Sequence, residues 1–160
     1  MGQNDERIEL QTSLGYRLKE ASSALRAAME EVLQPLGMTV THYSCLELLA
    51  QRPGLSNSEL ARGTFVTRQS MNVLLRQLER EGSVTRPAEP PVGRTLPTRL
   101  TARGRRRLEE ASLAVRSVER RMLSELTDAE QEDARRILAA MIRALRGDSG
   151  PGRPTLSGTA

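Results

Sequence analysis

A mainly α-helical fold is predicted by three observations: apolar stripes at helical spacing near both ends of the chain, two closely spaced helix-start signatures in its middle, and a Pro/Gly-containing β-type stretch behind them. The middle stretch, Leu55 to Glu81, reads LSNSELARGTFVTRQSMNVLLRQLERE. Ser56 followed by Glu59 is a capping box, with Leu55 and Leu60 placed to close a hydrophobic staple. This first helix is expected to run to about Arg62, with Gly63 supplying the left-handed residue that ends it. Thr67 can cap a second helix, in which Met71, Leu74, Leu75 and Leu78 recur at i, i+3, i+4 and i+7 before Gly82. Its other face carries Arg68, Gln69, Asn72, Arg76 and Arg80. A short helix, a tight turn and a helix with a basic, polar outer face form a helix-turn-helix pattern.

Charge agrees with that reading. The chain has 160 residues and a formal net charge of +4, yet Leu55 to Arg107 holds 11 Arg against 4 Glu, so the remainder is net negative. Positive charge is thus concentrated where phosphate would be bound. Lys19 is the only lysine, and Arg suits bidentate contacts to guanine and phosphate. Aromatic residues make up 2% of the chain, so a large monomeric core is not expected, and burial against a second copy would complete it.

Taken in order, residues 1–5 are expected to be disordered and about Glu6 to Val32 to form a long helix. Leu14, Leu18, Ala21, Leu25, Met29 and Val32 mark its stripe, and Pro35 and Gly37 stop it. Thr39 to Ala50 reads as a second helix. Behind the helix-turn-helix, Ser83 to Arg86 and Leu96 to Leu100 read as the two strands of a β-wing. Pro90, Pro91 and Gly93 form its tip, and Pro97 restricts the returning strand to an edge or a short length. Thr101 can cap a helix to about Leu126, with Leu108, Ala111, Val115, Val118 and Met122 as its stripe. Arg103, Arg105, Arg106 and Arg107 crowd its start. They could pair with Glu109 and Glu110 one turn on, or contact phosphate beside the wing. Thr127 and Glu130 form a second capping box, opening a helix to about Arg146 with Ala134, Leu138, Met141 and Leu145 on one side. A Gly-, Pro- and Ser-rich tail, 147–160, is expected to be disordered.

The stripes and signals divide the chain into flanking helices in 6–36 and 102–146, which the family resemblance named below implies are dimerisation helices, around a winged helix-turn-helix unit in 37–101. Arg68, Gln69 and Asn72 are the candidates for base contacts, and Ser70 and Arg76 for phosphates. Arg86, Arg94 and Arg99 lie on the wing, from which an arginine can enter a minor groove. His42 and Cys45, three residues apart, suggest a thiol activated by imidazole, but a lone Cys is more often a small hydrophobe. One His and one Cys cannot complete a zinc site alone, so neither a metal nor a cofactor is expected. No phosphate-binding Gly loop, nucleophile–base pair or carboxylate pair suggests an enzyme. With no apolar run long enough to span a bilayer and no signal-peptide pattern, a cytoplasmic location is expected.

The order of parts resembles the MarR family of winged-helix regulators. MTVTHYSCLELLA is similar to that family's second helix, SNSELARGTFVTRQSMNVLLRQLEREGSVTR to its two reading helices and first wing strand, and LTARG to its turn into the fifth helix. The resemblance covers about Leu10 to Arg146. It implies a homodimer on a pseudopalindromic operator in double-stranded DNA, with repression relieved by a small aromatic or phenolic effector or by an oxidant. The family's wing usually carries an Asp–Arg pair. Gly93–Arg94 stands there, so Arg94 is carried over without its orienting partner. By position in the family, Tyr16, His42, Tyr43 and Cys45 are the candidate effector-pocket residues. The peroxide-sensing branch has its reactive Cys in the first helix, so that chemistry does not transfer to Cys45. A redox switch at Cys45 and a non-specific architectural DNA-binding protein are the competing readings.

Overall fold

The computed structural model describes residues 7–88, 93 and 96–147. Its elements are α1 (Leu14–Leu33), a single 3₁₀ turn (Gln34–Leu36), α2 (Val40–Gln51), α3 (Asn57–Thr64), α4 (Arg68–Arg80), β1 (Val84–Thr85), β2 (Arg99–Leu100), α5 (Ala102–Leu123) and α6 (Asp128–Arg146). The chain divides into two compact units, the first ending at Arg120 and the second starting at Arg121, so the boundary falls inside α5.

Local signals set most boundaries. Thr39, Ser56, Thr67 and Thr127 each accept a backbone N–H three residues on, which satisfies donors the first helical turn leaves free. At α2 the capping box is completed by His42, whose Nδ1 accepts the Thr39 N–H at 3.3 Å, in the role Glu or Gln usually takes. α1 starts later than expected. Ser13 is its cap, and residues 9–13 close a turn on the Glu9 carbonyl instead of continuing the helix.

The core of the first unit is built from Leu33, Leu46, Leu49, Leu60, Met71, Leu75 and Leu78, all fully or almost fully buried, with Val84 of the wing and Leu108 and Ala111 of α5 beside them. α1 contributes mainly its C-terminal end, since Leu14 and Leu18 remain exposed. In the second unit, α6 buries none of its residues, and Ile137, Leu138 and Ile142 are exposed.

The end of α3 differs from expectation. Gly63 is helical, and the left-handed residue is Phe65, at φ 60° with its side chain 83% exposed. Gly63 serves packing instead: a Cβ there would lie 2.6 Å from Leu48 Cδ1, so glycine lets α3 approach α2 closely.

β1 and β2 pair antiparallel, Val84 with Leu100 and Thr85 with Arg99. The strands are shorter than expected, but Thr98, just before β2, makes a further bridge. Thr98 N–H donates to the Leu55 carbonyl and Gly54 N–H to the Thr98 carbonyl, both at 3.0 Å, so the segment before α3 pairs with the returning wing strand. The expected disordered ends, 1–5 and 147–160, lie outside the described residues except for Gly147. That residue caps α6 at φ 72°. Among the described residues no helix is long and apolar enough to cross a membrane.

Candidate nucleic-acid interface

α4 segregates its side chains sharply. Met71, Leu74, Leu75 and Leu78 face the core, while Arg68, Gln69, Ser70, Asn72 and Arg76 are all exposed. The helix is therefore held by its apolar face and leaves the polar one free. Its start is tied to α3 by Asn57, whose Nδ2 donates to the Arg68 carbonyl at 3.3 Å. Ser70 Oγ accepts from Thr67 Oγ1 at 3.0 Å and keeps its own proton to donate. Arg68, Arg76 and Arg80 make no ion pair among the described residues.

The wing departs from the expected set. Arg86 does not extend outward: its Nη2 donates to Glu79 Oε2 at 2.7 Å, the side chain is largely covered, and Nε is buried without a partner among the described residues. The chain reverses at Gly82, so the residues after β1 run back along the last turn of α4, where Glu79 is the nearest counter-charge. Arg86 thus braces the wing against α4. Arg99 is exposed on β2. Arg94, Pro90 and Pro91 lie outside the described residues.

The junction of α4, wing and α5 is closely fitted. Thr101 Oγ1 donates to the Gly82 carbonyl at 2.6 Å and accepts the Gly104 N–H at 3.0 Å, capping α5 while fastening it to the end of α4. Gly104 lies on the Ser83 backbone, where a Cβ would collide with the carbonyl oxygen. Arg107 Nη1 donates to Glu81 Oε2 at 2.6 Å and to Ser83 Oγ at 3.1 Å, and Gln77 donates to the other oxygen of Glu81 at 2.9 Å. Burial alone would raise the Glu81 carboxyl. Its hydrogen bonds from Gln77 and Arg107, with the Arg107 charge, outweigh that and hold it below the usual range. Arg103, Arg105 and Arg106 remain exposed. None of them pairs with Glu109 or Glu110 among the described residues, and Arg105 lines the cleft between α2 and α5.

The four candidate effector residues have different surroundings. Tyr16 stands exposed on α1. His42 caps α2 and faces Gln77, Glu81 and Arg107, and Cys45 is buried with Sγ 4.0 Å from Met71 Sδ. Tyr43 is half-buried, with Ser112, Arg116 and Glu119 of α5 and Glu47 near its hydroxyl. A cleft of about 440 Å³ lies between α2 and α5 and is lined by Glu47, Ala50, Arg105, Leu108, Glu109, Ser112, Leu113 and Arg116. The helical spacing of α2 separates these side chains: His42 and Cys45 turn inward toward α4, and Tyr43 and Glu47 outward toward α5.

Burial is the main influence on His42 and lowers its pKa. The Glu81 charge raises it, Arg107 lowers it and a contact with Gln77 raises it, leaving a net value below the ordinary 6.5. The unfolded chain therefore takes up this proton at a higher pH than the folded one. Stability from this group is complete above about pH 6.5 and is lost as pH falls. The melting midpoint should be flat from pH 8 to 7 and decline below 6.5. The decline should be smaller in His42→Gln, which can keep the capping box; equal slopes for the two proteins would show that His42 is not the source.

Burial pushes the Cys45 thiol up to about 12, so almost no thiolate, the reactive form, exists at neutral pH. Together with its complete enclosure, this argues against the redox reading. Stoichiometric hydrogen peroxide should leave DNA affinity unchanged in an anisotropy titration. A loss that reductant reverses, and that Cys45→Ser lacks, would restore the redox switch.

Comparison with known proteins gives this arrangement its setting. Residues 36–95 match the model of the MarR family. The chain is 46% identical over 125 residues to the HTH-type transcriptional repressor Rv2887 of Mycobacterium tuberculosis, covering 78% of this chain and 90% of that one. The crystal structure of Rv2887 in complex with DNA is similar with a TM-score of 0.68 at 42% identity, over 81% of this chain and 98% of that chain. Its complex with salicylic acid is similar with a TM-score of 0.67 at 44% identity, over 81% and 96%. The fold, the segregated α4 and these relatives agree: the chain belongs to the MarR family of winged helix-turn-helix transcriptional regulators.

Proposed function

We propose that this protein is a homodimeric, sequence-specific repressor that reads a pseudopalindromic operator with α4 and releases it when a small aromatic or phenolic effector fills the cleft between α2 and α5. The observation that carries the reading is α4 itself, a helix that buries its apolar face in the core and offers uncommitted Arg, Gln and Asn side chains to the outside. Arg68 is assigned to guanine, and Gln69 and Asn72 to adenine, the pairings that match donor and acceptor geometry in the major groove. Ser70 and Arg76 are assigned to phosphates, and Arg94 to the minor groove from the wing.

A second copy is supported by the apolar residues that the chain's own packing leaves uncovered, Leu14 and Leu18 on α1 and Ile137, Leu138 and Ile142 on α6. Two reading helices one helical turn of DNA apart then address two half-sites. The effector assignment is supported by the cleft's chemistry. Arg105 and Arg116 can meet a carboxylate, Leu108 and Leu113 can cover a ring, and the Rv2887 complex with salicylic acid holds such a molecule. Arg105 and Leu108 flank Arg107, which grips Glu81 at the end of α4, so a shift of α5 on filling the cleft would move the reading helix.

The test is to select duplexes from a random-sequence library with the full-length protein. Affinity for the selected duplex and for random duplex is then compared in graded salt, with and without salicylate. Preference of about a thousandfold or more, reduced by salicylate, is expected. Equal, salt-governed binding to both would overturn the reading in favour of an architectural protein.

A further inference from the structure

One residue of the reading face does not fit its polar character. Val73 is 60% exposed, whereas every other apolar residue of α4 is at least nine-tenths buried. At about 100° per residue, Val73 lies roughly 20° from Arg80, 40° from Gln69 and 60° from Arg76, well inside the outward stripe. It therefore cannot turn into the core without withdrawing that stripe. Local structure gives no reason for it either: a β-branched residue is a weaker helix former than the Lys, Gln or Arg an exposed position would accept.

We propose that Val73 is a specificity-determining residue that packs against the C5-methyl group of a thymine in each operator half-site. The inference rests on the reading of α4 given above. In the major groove, thymine is the one base that presents an apolar group, and hydrogen-bonding side chains cannot distinguish it by that group. An isopropyl group flanked by Gln69 and Arg76 is placed to do so, since those two neighbours would align the helix on the bases either side. Water would be expelled from both apolar surfaces, and no donor or acceptor would be left unpaired, because neither group carries one. The recognised feature is the methyl group itself, so 5-methylcytosine should substitute for thymine in this contact and cytosine should not.

The experiment uses the duplex selected by the wild-type protein. Each thymine is replaced in turn by deoxyuridine, which removes only the methyl group, and affinity is measured for wild type, Val73→Ala and Val73→Thr. For wild type, one position per half-site should cost about fourfold, the transfer value of one buried methyl. Val73→Ala should bind the thymine duplex more weakly and show no further loss with deoxyuridine there, and Val73→Thr should fall between. Circular dichroism melts of the variants, expected to match wild type because the side chain is exposed, separate this from misfolding. If wild type selects a duplex but no thymine shows a methyl dependence that Val73→Ala removes, the assignment of Val73 is overturned and the rest of the reading stands. If wild type selects nothing over random duplex, both fall.

Discussion

Replacing Gly104 by Ala should destabilise the protein by on the order of 3 kcal/mol and lower its melting midpoint by roughly 10 °C. In an open helix the same change would be favourable by about 1 kcal/mol, since Gly is a poor helix former. Here the added Cβ would collide with the Ser83 carbonyl oxygen and lie 3.0 Å from its carbonyl carbon. Both are backbone atoms, and that carbonyl also accepts the Thr101 N–H, so the obstacle cannot rotate away as a side-chain tip would. The first turn of α5 must lift, pulling on the Thr101–Gly82 hydrogen bond and on the Arg107–Glu81 pair. Gly15→Ala is the control. Its Cβ would meet nothing closer than Ser13 Oγ at 3.7 Å, so the midpoint should hold or rise. Thermal melts at one protein concentration decide the matter, and an unchanged midpoint in Gly104→Ala would mean that α5 and the wing base do not approach this closely in solution.

Arg68→Ala should have the largest effect on function. Arg68 opens α4, where the helix dipole disfavours a cation, and it has no ion-pair partner among the described residues. The charge therefore adds no ion pair to the fold, and under the function proposed above its acceptor is a guanine of the operator. A bidentate contact to guanine is worth about 1–3 kcal/mol of discrimination, and a dimer on a two-fold site makes it twice. Specific affinity should thus fall roughly 30-fold to 10⁴-fold. Binding to random duplex should weaken far less. Replacing guanines one at a time by 7-deazaguanine should locate a position per half-site that wild type needs and Arg68→Ala ignores. Arg76→Ala should behave differently, weakening specific and random duplex alike and lowering the salt slope by about one for each phosphate no longer neutralised. If Arg68→Ala weakened both modes equally, Arg68 would be a phosphate contact and the guanine assignment would fail.

Much of this architecture is legible because its signals are local. A hydroxyl at the cap and the N–H three residues on are brought together by a single helical turn, whatever the rest of the chain does. Thr39, Ser56, Thr67 and Thr127 are readable for that reason, as is the apolar stripe of α4. LTARG is recognisable as a turn, but not why its glycine is needed: the Ser83 carbonyl reaches Gly104 only after the wing has folded back. Gly63 misleads in the same way, as a glycine that ends a helix and one that admits a neighbour look alike until the neighbour is in place. The pairing of Leu55 with Thr98 joins segments on either side of the whole reading unit, and no short-range pattern announces it.

The candidate site divides along the same line. Helical periodicity alone sets which face of α4 is buried, because it places Met71, Leu74, Leu75 and Leu78 together; Arg68, Gln69, Asn72 and Arg76 follow on the other side. Long-range packing was needed to show that Arg86 braces Glu79, that Arg107 grips Glu81, and that Cys45 meets Met71 and His42 meets Gln77 and Glu81 while Tyr43 lies near Ser112 of α5. The direction a charged or polar side chain takes depends on which partner lies within a few ångströms, and for these residues the deciding partners come from other elements of the fold.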